Sequence, residues 1–169
     1  MTTCAPVASE THSVDLSFQP RLESVSAVRR FLEVHYGRLV ADSELISRMA
    51  VTVHELLENA AKYSAGGGSH LRVEVDPSLP HRLSISVDNQ VDPRHLPGLQ
   101  ETVAELSTAE DPVDVYQRYL MRAATREEGS GLGLARIFVE AEMNVEVELH
   151  DDHICVKAIA TPHVVSGTS

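Results

Sequence analysis

Hydrophobic and polar positions change their period along the chain in a way that marks out successive elements. Val14, Leu16 and Phe18 alternate with polar residues and stop before Pro20, the pattern of a half-buried strand. From about Leu22 to Val40 the spacing lengthens, and Val25, Val28, Phe31, Leu32 and Leu39 recur at helical intervals, with Gly37 weakening the last turns. Asp42 or Ser43 is placed to cap a second helix from Glu44 to Tyr63, whose broad apolar stripe is Met49, Val53, Leu56, Leu57 and Ala60. Gly66, Gly67 and Gly68 end that helix and turn the chain back towards a sheet. Alternation then returns at Leu71, Val73 and Val75, breaks at Pro77 and Pro80, and resumes at Leu83, Ile85 and Val87, which predicts a hairpin-like pair ending at Asp88.

Asp88 to Glu128 shows no further alternation but two amphipathic stretches, near Leu96 to Leu106 and Val113 to Ala124. A helical insertion of this length commonly forms a lid over a site. Gly129 to Leu134, reading G-S-G-L-G-L, opens an apolar helix predicted from Leu132 to about Met143. Val145, Val147 and Leu149 alternate, Asp151 and Asp152 turn the chain, and Ile154, Val156, Ala158 and Ala160 close the pattern. Residues 1–13 and 161–169 are small, polar and without period, and read as a disordered leader and tail around one domain over 14–160, with the lid at about 92–128. Strands gathered in antiparallel pairs with helices that must bury one stripe predict an α+β fold: a two-layer sandwich, its sheet mixed and mostly antiparallel, its helices on one face.

Composition narrows the function. The 169 residues suit a single domain with a sizeable core. A net charge of -11 with no Lys/Arg run argues against a nucleic-acid partner. Cys4 and Cys155 make neither a disulfide framework nor a metal quartet, so a reducing, cytoplasmic setting is expected. No apolar run has the length of a membrane span, and no membrane partner is expected. The nine histidines are scattered without metal-ligand spacing on a common face.

The chemistry concentrates in two places. On the second helix Glu55, Asn59 and Lys62 recur at i, i+4 and i+7, so a carboxylate, an amide and an ammonium share a face at the edge of the apolar stripe. At the last helix Gly129, Gly131 and Gly133 make a glycine-rich start, where unpaired backbone N–H groups and the helix dipole attract phosphate oxygens. Either feature alone is commonplace: charged helix residues are usually solvated, and glycine at a helix start is more often a turn device. The Gly66–Gly68 run precedes a strand and lacks the Lys-Ser or Lys-Thr of a P-loop.

Taken together and in this order, the elements and motifs resemble the ATP-binding module of histidine kinases, GyrB and MutL, the histidine kinase-like (GHKL, or Bergerat) ATPase domain. In layout they are most similar to the small SpoIIAB/RsbW-type anti-sigma serine kinases and to SiaB-like kinases. The resemblance covers about Val14 to Ala160. It implies ATP or ADP with Mg²⁺, Asn59 as the metal's side-chain ligand, Glu55 as general base or as the group that orients the nucleophile, and Lys62 near the phosphates. It further implies that Asp88 reads the adenine amino group, and that Gly129, Gly131, Leu132, Gly133 and Leu134 surround the phosphates. The implied activity is a protein serine/threonine kinase of partner-switching signalling, acting on a protein partner such as an anti-sigma antagonist or a sigma factor, and consistent with a homodimer. The alternative is an inactive regulator of the same fold that works by protein binding alone. One departure stands out: in the family's D-x-G-x-G pattern, aligned on Asp88, Gln90 and Asp92 replace both glycines. On that alignment Gln90 is expected to crowd the base and Asp92 to bring negative charge towards the phosphates.

Overall fold

The computed structural model describes residues 11–76, 82–125, 131–151 and 153–160. Five strands form one sheet: β1 (His12–Phe18), β2 (Ser64–Asp76), β3 (Arg82–Val91), β4 (Met143–His150) and β5 (His153–Ala160). Its order is β1-β2-β3-β5-β4, and every neighbouring pair is antiparallel. The register places Leu16, Leu71, Val87, Val156 and Val147 in one row across the sheet. The next row, Ser17, His70, Asp88, Cys155 and Glu148, projects from the opposite face. One face is therefore apolar and covered, and the other polar and solvated.

The predicted two-layer α+β architecture with helices over one face is the architecture observed. β1 begins at His12, two residues inside the predicted leader. α1 (Leu22–Gly37) buries Val25, Leu32 and Tyr36, while Phe31 and Leu39, expected on its apolar stripe, are exposed. α2 (Ser43–Tyr63) is capped by Asp42, whose Oδ1 accepts from the Leu45 N–H at 3.0 Å. Its buried side is the predicted one, Met49, Val53, Leu56, Leu57 and Ala60, extended by Leu45 and Thr52. At its N-terminal end β2 pairs Ser64 with Val91 and then Ser69 with Asn89, so the glycine run forms a bulge, with Gly66 and Gly67 at φ of 119° and 77°.

A short 3₁₀ turn at Pro93–His95 leads to α3 (Leu96–Ser107) and α4 (Pro112–Ala124), the two helices expected of the lid. α5 (Leu132–Val139) ends sooner than the apolar run predicts. Glu142 takes a left-handed conformation at φ 49°, and Arg48 of α2 donates to the carbonyls of Ala141 and Glu142, both at 2.6 Å. Those bonds hold the chain just beyond the end of α5 to α2.

Tyr36 locks α1 to the sheet: fully buried, it donates its hydroxyl to the Val73 carbonyl at 2.8 Å, and burial pushes its pKa up to about 12. Tyr36→Phe should leave that acceptor unsatisfied and lower stability by about 1–2 kcal/mol, read as a lower urea midpoint with an unchanged m-value.

Candidate functional site

A cavity of about 480 Å³ opens between α2, the end of β3, the start of α3 and the N-terminus of α5. Its volume falls in the range of small-molecule sites. The reason it forms is that α2 turns its apolar stripe to the sheet and leaves its polar edge beside the lid. Glu55, Asn59 and Lys62 all line the cavity, as their i, i+4, i+7 spacing predicts. Gly131, Leu132, Gly133 and Leu134 form the facing wall, while Gly129 lies outside the described residues.

Gly131 is the N-cap of α5 at φ 70°, with no side-chain cap. The first helical bond runs from the Ala135 N–H to the Gly131 carbonyl, so the N–H groups before Ala135 have no partner within the helix. Gly131 is held at glycine by its positive φ, and both positions are closely faced. A Cβ on Gly131 would stand 2.7 Å from Tyr119 Cε1 of α4 and 3.0 Å from Thr102 Cγ2 of α3. A Cβ on Gly133 would stand 2.7 Å from Glu55 Oε2. The glycines thus let α2, the lid and α5 close around one space.

The charged groups do not stand as a bare triad. Glu55, only 6% exposed, pairs with Arg136 of α5, which also donates from Nε to Glu140 at 3.1 Å. Burial pushes the Glu55 carboxyl up, and the Arg136 guanidinium pulls it back down. Lys62 Nζ donates to Glu58 Oε2 at 2.6 Å, and His54 Nε2 lies 3.3 Å from Glu58 Oε1. That Lys62 bond holds the Glu58 carboxyl below its ordinary value. His54, Glu58, Arg94, His95 and Arg136 also line the cavity, and sequence reasoning had assigned none of them a role. Arg136 was hidden because its partner Glu55 is 81 residues away in the chain.

The expectations for Asp88, Gln90 and Asp92 need correction. Asp88 projects from the outer face, where it lines a separate depression with Ser17, His70 and His153, so it is not at the cavity. Asn89 occupies the inward position, 5% exposed, with Nδ2 donating to the Gln90 carbonyl at 3.0 Å. The signal was in the sequence: Leu83, Ile85 and Val87 fix the odd positions as inward, and Asn89 continues them. By the same parity Gln90 turns away, its Oε1 only 2.9 Å from where a Cβ on Gly67 would stand, and Val91 lines the cavity instead. Gln90 therefore does not crowd the cavity. Asp92 caps the 3₁₀ turn, accepting from the Arg94 backbone N–H and Nε, both at 3.0 Å. Hydrogen bonding to the Arg94 side chain holds its carboxyl far below the usual range, and the charge expected to repel phosphates is paired with a cation.

On this geometry the comparisons with known proteins can be set. A family profile described as the histidine kinase-like ATPase domain matches residues 18–158, and the chain belongs to that family. Its fold is shared with a chain in a solved structure, "The crystal structure of SiaB-SiaC complex from Pseudomonas aeruginosa", at a TM-score of 0.61 and 15% identity, over 86% of this chain and 89% of that one. No curated protein matches in sequence. No helix among the described residues is long and apolar enough to cross a membrane, and no group of three His, Cys, Asp or Glu among them is arranged to hold a metal ion.

Two outcomes follow from the closed wall. Gly131→Ala, forced to positive φ against a buried Tyr119, should lower stability by at least about 1–2 kcal/mol, visible as a drop in Tm. The Tyr119 hydroxyl donates to Glu105 at 2.7 Å and, as the main cause, lowers the Glu105 pKa. Because the folded value lies below the unfolded one, this stabilisation is present above the ordinary carboxylate range and is lost as pH falls through the lowered value. Tyr119→Phe should remove about 0.5–1 kcal/mol at pH 7 and less below pH ~4, checked by urea titration at both pH values.

Proposed function

We propose that the cavity binds ATP or ADP with Mg²⁺ and that the chain is a regulator of partner-switching signalling, a protein serine/threonine kinase when active. The observation that carries this reading is the convergence of Asn59, Lys62, Asn89 and the uncapped start of α5 on one cavity. Each group suits a part of the ligand. The Asn59 amide oxygen is a hard ligand for Mg²⁺, which otherwise keeps waters and phosphate oxygens. The α5 N-terminus offers N–H groups and positive dipole to phosphates, and Lys62 and Arg94 line the same cavity. With its Nδ2 engaged by the Gln90 carbonyl, Asn89 is left with Oδ1 to accept from an exocyclic amino group, as adenine requires. The cavity's apolar residues Leu99, Leu132, Ile154 and Val156 suit the faces of a base.

Glu55 lies one helical turn from Asn59 and is the carboxylate to take a proton from a hydroxyl in phosphoryl transfer. Its pairing with Arg136 specifically favours a second reading, in which nucleotide is bound but not turned over and signalling runs through protein contact alone. The SiaB-SiaC complex supports a protein partner for either reading. A cytoplasmic setting and an anti-sigma antagonist or sigma factor as partner remain part of the proposal.

Calorimetric titration with Mg-ADP tests the common core. Binding in the micromolar range is expected, and Asn59→Ala should abolish the Mg²⁺ dependence with at least about a 10-fold loss of affinity. Asn89→Leu should weaken binding comparably, whereas Gln90→Gly should leave it unchanged, because that side chain faces Gly67. Absence of heat and of thermal stabilisation at millimolar Mg-ADP would remove the proposal, since a ligand of the native state must raise Tm by mass action.

A further inference from the structure

Beyond the residues that hold nucleotide, one network runs from the lid to Glu55. Tyr116 of α4 donates its hydroxyl to Glu140 at the end of α5. Glu140 accepts from Arg136 Nε at 3.1 Å and from Nη2 at 3.2 Å, and Arg136 Nη1 donates to Glu55 Oε1. The guanidinium is thus fixed on three donors between two carboxylates, one bidentate, an arrangement that gives directional as well as Coulombic hold. Glu55 Oε2 is turned the same way, 2.7 Å from the Cβ position of Gly133. Both oxygens of the carboxylate therefore face α5, and the residue is 6% exposed.

Resting on the nucleotide-binding reading above, we infer that Arg136 masks Glu55, so that the cavity holds Mg-ATP without transferring phosphate until the Arg136–Glu55 pair opens. Tyr116 and Glu140 hold the mask in place, which makes α4 the element whose movement opens it. In transfer Glu55 must take the proton of the attacking hydroxyl as that oxygen bonds the γ-phosphorus; the bridging P–O bond breaks and ADP keeps its electron pair. A carboxylate already accepting a guanidinium N–H is a weak and misdirected base for that proton. Burial and Arg136 act on the Glu55 carboxyl in opposite directions, and burial is the stronger, so the carboxyl sits above its ordinary value. α4 is suited to a trigger: its exposed side carries Val113, Leu120 and Met121, while Val115 and Tyr119 tie it to the core, so a displacement of that helix pulls on Tyr116.

The test separates binding from turnover. Mg-ADP binding is measured first by calorimetry on the wild-type chain and on each variant. ATP hydrolysis, with water as the acceptor, is then followed as released phosphate. Arg136→Met should bind Mg-ADP and raise kcat by about 10-fold or more, the scale of a freed general base, and the gain should vanish when Glu55→Gln is added. Tyr116→Phe, which leaves Arg136 in place and is the fallback if Arg136→Met fails to fold, should raise kcat by about 3-fold, as loss of one exposed anchor implies. Binding with unchanged or reduced kcat in both variants overturns the mask, and so does a gain that survives Glu55→Gln. A wild-type chain that does not bind Mg-ADP fails at the first step and overturns the nucleotide reading itself, a result distinct from either.

Discussion

The structure depends on how α2 is seated. One side of this helix is the floor of the hydrophobic core, with Met49, Val53, Leu56 and Leu57 almost wholly buried against the sheet. Its margin carries Glu55 and Asn59 at a place where they cannot be fully solvated. Burying that many aliphatic side chains stabilises the fold by several kcal/mol, at roughly 1.5–3 kcal/mol each, and this offsets the cost of holding a carboxylate at the core's edge. The carboxylate is paired with Arg136 from α5, so the contact that joins α2 to α5 is also a contact of the site.

Glycine at the α5 start follows from the same constraint. Because Glu55 and Asn59 are fixed by the core, the facing backbone must come close to them, and a side chain at Gly133 would collide with Glu55. α3 and α4 press from the third direction, with Thr102 and Tyr119 against Gly131. Three elements far apart in sequence therefore meet with almost no spare volume at their junction, while a cavity of about 480 Å³ opens beside it. A wall this tightly packed transmits displacement, since close-packed interiors yield little locally. That is the physical basis for coupling between α4 and Glu55.

Period and parity made much of this legible beforehand. The apolar stripe of α2, the two lid helices and all five strands follow from spacing, because each must bury one face and the spacing of apolar residues records which face. Errors arose where a neighbour decided the matter. Phe31 and Leu39 fit a helical stripe but lie exposed, and nothing local to α1 distinguishes them from Leu32. The apolar run after Gly133 gave no sign of stopping at Val139; Arg48, brought from α2, accommodates the turn. Asp88 was chosen by motif when parity pointed to Asn89.

The sequence by itself determined the layers, the order of elements, and the face on which Glu55, Asn59 and Lys62 stand together, because these depend on interactions within about one helical turn or on strand alternation. Only the tertiary structure decided what those groups touch. Lys62 is held by Glu58 within α2, a pairing that spacing permits but does not select, whereas Glu55 is held by Arg136 from across the fold. Asp92 is matched by Arg94, and Gln90 is turned to Gly67. Periodicity carries the direction a side chain takes from its own backbone; the charge it meets there belongs to another part of the chain, and no local pattern encodes it.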